Sequence, residues 1–70
     1  MDIKLFEMLK SSAEADIAKA KLTLKLLGEK GVGVGEHSTK DYYNNAEEAL
    51  GLLDNAESRL ETLKKFVSED

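Results

Sequence analysis

Three glycines alternate with valines in Gly31-Val32-Gly33-Val34-Gly35, and the segment runs through Glu36, His37 and Ser38 toward a helical pattern. A glycine-rich turn feeding a helix N-terminus can hold phosphate, because free backbone N–H groups and the helix dipole both favour an anion there. A dinucleotide fingerprint needs a further glycine at position 36, where Glu36 stands, and a P-loop needs Gly-Lys-Ser/Thr at the helix start. Glu36 and Asp41 also place negative charge where a phosphate would sit. The segment therefore reads as a connector, with one of Val32 and Val34 partly buried over the end of the helices.

The other reactive residues are isolated. His37 is the only histidine, the chain has no cysteine, and no Glu-x-x-His spacing accompanies it, so it reads as a loop or capping residue. Glu47 with Glu48, and Glu57 with Glu61 at i,i+4, are paired carboxylates. Acid–base catalysis needs a pocket to shift their pKa values, and a long exposed helix supplies none. Tyr42 and Tyr43, followed by Asn44 and Asn45, offer two phenols and two amides at the start of a helix. The expected role is a tyrosine ring closing the bundle end against Leu26 and Leu27 with its hydroxyl in water. No catalytic, cofactor-binding or metal-ligating set emerges.

Composition narrows the class. Seventy residues make one domain, and 41% hydrophobic with 34% charged residues and no proline suits long helices. The absence of cysteine excludes a disulfide framework and thiolate chemistry. Met1 is not followed by a basic, then apolar, leader, and no apolar run approaches the roughly 20 residues of a membrane span. A cytoplasmic or virion-internal protein is expected. A net charge of −4 disfavours nonspecific binding to nucleic acid or anionic lipid.

Two helical stripes position everything else. Phe6, Leu9, Ala13, Ile17, Ala20, Leu24 and Leu27 recur at spacings of three and four, with Asp16 and Thr23 just off the seam. Ala46, Ala49, Leu53, Ala56, Leu60, Leu63 and Val67 form a regular a/d seam. These predict helix 1 at about 3–28, ended by Gly28 or Gly31, a connector at about 29–38, and helix 2 at about 39–67. Ser38 or Thr39 caps the second helix, and Lys64 and Lys65 fall late in it.

Charge sets the direction. Residues 1–16 carry a net −2 and 17–30 a net +3, while 36–57 carry −5 and 58–65 carry +2. Antiparallel arms lay acid along base at both ends, for instance Lys19 and Lys25 against Glu47 and Asp54; parallel arms would stack like on like. Positions summing to about 70 then face each other.

The predicted fold is all-α, one antiparallel two-helix hairpin over 1–70. A lone hairpin this small has little core. Leu5, Met8, Leu22, Leu26, Leu50 and Leu52 widen the stripes beyond one partner helix, so these residues with Leu53 are expected to form a dimer or partner interface, giving a four-helix bundle. The expected function is a small non-catalytic interaction or adaptor protein acting as a homodimer, with no cofactor and no membrane. A protein partner's helix on one face is the second candidate occupant. In architecture the hairpin resembles the small Rop-type proteins, which implies an alternative as an RNA-binding regulator through Lys19, Lys21 and Lys25, although no aromatic residue is interleaved with them for stacking.

Overall fold

The computed structural model describes residues 1–30 and 39–69, with the side chains of Lys30 and Thr39 excepted. The described chain is two α-helices, α1 (Ile3–Lys30, 28 residues) and α2 (Thr39–Glu69, 31 residues). They lie side by side in a rod of 52 × 15 × 13 Å. The expectations for Gly31, Val32, Val34, His37 and Ser38 lie outside the described residues.

The start of α1 is fixed by Asp2, which no helix stripe singled out. Its Oδ2 accepts the backbone N–H of Lys4 at 3.1 Å and of Leu5 at 3.2 Å, and its carbonyl accepts the N–H of Phe6 at 2.9 Å. A side-chain oxygen satisfying the second and third helical donors is an N-cap. At the other end α1 runs through Gly28 to Lys30, two residues past the expected boundary. Gly28 is thus an interior helix residue, not the helix stop.

In the same way α2 continues to Glu69, because neither glycine nor proline follows Val67. Lys64 and Lys65 therefore sit before its last turn, which has no basic residue. Ser68 donates its hydroxyl to the Lys65 carbonyl at 3.0 Å and satisfies one terminal acceptor.

The helices are antiparallel. Near the connector end, the Tyr42 hydroxyl donates to the Leu27 carbonyl at 2.7 Å. Further along, Arg59 Nη2 meets Asp16 Oδ2 at 2.5 Å. Both links join positions whose numbers sum to roughly 70, as the folded-back register requires. The first also corrects the expectation of a solvated phenol. Leu27 is in the last turn of α1, where a helix runs out of its own N–H donors, and the tyrosine supplies one from the other helix.

The seam is alanine. Ala13, Ala20, Ala49 and Ala56 are buried together with Leu63. Two alanines seven residues apart on each helix occupy one heptad position and let the backbones approach closely. The larger seam residues Ile17, Leu24, Leu53 and Leu60 are pushed to either side and end half-buried. No large side chain among the described residues is fully buried.

Candidate interaction surface

Because alanine fills the middle, leucine and its neighbours shape the flanks of the hairpin. On one flank, Leu9 of α1 and Leu63 and Phe66 of α2 line an open groove of about 440 Å³, with Met1 at its end and Asn55, Ser58, Arg59 and Thr62 on its α2 side. Leu9 was expected in the seam, yet it is 44% exposed. Four residues before Ala13, it lies about 40° around the helix from the buried alanine, toward this flank.

The Asp16–Arg59 pair closes the inner end of the groove. Arg59 also donates from Nε to Asn55 Oδ1 at 2.9 Å, which holds the guanidinium in place. Both charged side chains keep more than a third of their surface in water, 35% for Asp16 and 39% for Arg59. The pair realises part of the charge layout, joining the acidic start of α1 to the basic end of α2. Beyond it the same flank continues as a second depression lined by Lys19, Thr23, Glu48 and Leu52. Glu48, rather than Glu47, is the carboxylate that shares this depression with Lys19.

The opposite flank has a different character. Ile17 and Leu60 form the floor of a depression whose rim is Lys21, Glu57, Glu61 and Lys64. Glu61 is bound to Lys65 at 3.3 Å, with both side chains 70% exposed, so this carboxylate is solvated surface.

The expected interface residues divide among these surfaces. Leu50 and Leu52 are two residues apart, about 200° around the helix, and so occupy opposite flanks. Leu52 is half-buried beside Lys19 and Thr23, whereas Leu50 is exposed on the other side. Leu53 is half-buried in the intramolecular seam. Leu5 and Leu26 are exposed, and Met8 and Leu22 more so, on the groove side and outer face of α1. The expected residues thus do not form one patch.

Lys19 and Lys21 line opposite flanks, and Lys25 is exposed near the end of α1. Tyr43 is exposed beside the hydrogen-bonded Tyr42. Among the described residues no group of His, Asp or Glu could hold a metal, and no helix is long and apolar enough to cross a membrane.

Sequence reasoning passed over Asp16 and Arg59 as individuals. Their signal was present: an acid just off the seam of α1, and the only arginine of the chain on α2. Compared with protein-family models, curated proteins and solved structures, the chain matches none.

Proposed function

We propose that this chain is a small non-catalytic interaction protein that works as a homodimer, two hairpins packed as a four-helix bundle in an aqueous compartment, cytoplasmic or virion-internal. The alanine seam carries this reading. A core that, among the described residues, has no fully buried large side chain takes little apolar surface from water, and a single core in a chain this small rarely exceeds about 3–5 kcal/mol. Leu5, Leu9, Leu26 and Phe66, each roughly half exposed, hold the surface that a second chain would cover. A protein partner's helix would meet the same apolar side chains. RNA contact draws less support, because Lys19 and Lys21 share their depressions with Glu48 and with Glu57 and Glu61.

Sedimentation equilibrium from low to high micromolar concentration tests the reading. The expected result is twice the chain mass, with helicity and melting temperature rising with concentration. A well-folded species of single chain mass at every concentration refutes it.

A further inference from the structure

We propose that two copies of this chain join through the outer face of α1, with the two α1 helices packed antiparallel in the middle and the α2 helices outside. The proposal rests on the homodimer reading and specifies its helix, its face and its direction.

The two helices differ on the side turned away from their common seam. On α2 that side carries Glu47, Gly51, Asp54, Ser58, Glu61 and Lys65, all exposed and none of them a large apolar residue. On α1 it carries a second heptad stripe. Leu5, Ser12, Lys19 and Leu26 stand seven apart in one row, and Met8, Ala15 and Leu22 in the next. Read together, the rows alternate at spacings of three and four, the seam pattern of a helix that packs on another. Their midline lies about 130° around α1 from the Ala13–Ala20 line, so α2 of the same chain cannot cover it. Met8 accordingly stays 68% exposed and Leu22 57%. A helix with two such stripes has the pattern of an inner helix, and one with a single stripe that of an outer helix.

The order of side chains along the stripe identifies the occupant. Leu5 and Met8 stand before its middle, Leu22 and Leu26 after it, and Ser12 and Ala15 between. Large-small-large reads nearly the same in reverse, which suits a helix meeting an inverted copy of itself. A helix of another protein would need no such reversal. A two-fold axis near Ala15 keeps α1 on α1 and sets Leu5 and Met8 of each copy against Leu26 and Leu22 of the other, a contact that closes on itself. The small central residues let the two backbones approach, as the alanines do within the hairpin.

Charge fixes the direction. Residues 1–16 carry a net −2 and 17–30 a net +3. Antiparallel α1 helices lay the acidic half of each along the basic half of the other and oppose their dipoles. Parallel helices would set like on like. Lys19 is the one charge between Leu5 and Leu26 in the stripe, and it lies toward the flank depression that it shares with Glu48 of its own chain.

The absence of cysteine makes the arrangement directly testable. With Ala15→Cys beside the axis, a short bis-maleimide is expected to join two copies. Met8→Cys alone should give no link, because the axis places it about 20 Å from its own mate. Met8→Cys/Leu22→Cys should link again, and only between copies, since the two thiols of one chain are equally far apart. In sedimentation, Leu22→Asp is expected to weaken the dimer at least about a hundredfold, since the two-fold buries the new charge twice. Leu50→Asp, on an exposed position of α2, should leave it within about threefold.

A dimer that resists Leu22→Asp, weakens as much with Leu50→Asp, fails to link through Ala15→Cys, or links through Met8→Cys alone overturns this docking mode and leaves the homodimer reading standing. A folded parent chain that stays monomeric throughout overturns both. Ala15, Met8 and Leu22 are all exposed within one hairpin, so none of these variants disturbs the hairpin's own core.

Discussion

The Tyr42 hydroxyl and the Leu27 carbonyl meet across 15 positions of sequence, and Tyr42→Phe removes that bond while keeping the ring. The expected loss is about 0.5–1.5 kcal/mol, seen as a fall of several degrees in melting temperature. Tyr43→Phe, which alters an exposed phenol, should change stability by less than about 0.5 kcal/mol. Equal effects from the two variants would remove the Tyr42 bond from the account. This bond was not legible in the sequence, because it depends on the relative height of two helices, and hydrophobic period fixes only which faces meet. Asp2 was missed for a different reason. The stripe of α1 begins at Phe6, so the capping acid four residues earlier stood outside the pattern being read.

Both helices carry an interior glycine that their packing does not demand. A Cβ added at Gly28 or Gly51 would meet nothing within 4 Å. Gly28→Ala and Gly51→Ala should therefore each stabilise the fold by about 0.5–1 kcal/mol, chiefly by restricting the unfolded chain. A chemical-denaturation midpoint that fails to rise for Gly51→Ala would show that the outer face of α2 needs its bare backbone. The existence and pairing face of both helices were legible from period alone, and all seven seam positions of α2 are buried or half-buried. Leu9 was not, because a position about 40° off the seam centre can turn either way. The surplus leucines were harder still. Read along the chain they form one broad stripe; wound on a helix, Leu50 and Leu52 part to opposite sides.

At the scale of the whole molecule, the four charge blocks anticipated the antiparallel direction, and Asp16–Arg59 joins the two blocks at the terminal end. Lys19 and Glu48 stand together in the connector half. Lys19→Glu should destabilise the protein by about 0.2–1 kcal/mol at low salt, with part of the loss recovered by Glu48→Lys and the whole effect shrinking in high salt. A double-mutant cycle measures the coupling. A value of zero at low ionic strength would mean that these blocks serve solubility and helix dipoles alone. The choice of Glu48 over Glu47 required the structure, since adjacent residues differ by about 100° around the helix.

The alanine seam also governs how the fold responds to temperature. Alanine has no side-chain rotamers to lose on burial, and it removes little apolar area from water. Folding one hairpin therefore releases little hydration heat capacity, which leaves its stability curve flat: cooling and warming within the physiological range change it by a small amount. The enthalpy gathered at the midpoint is correspondingly low, so an isolated hairpin melts over a wide interval and frays inward from its ends. Covering the leucines is what would sharpen that transition, because they hold the heat capacity that the seam does not.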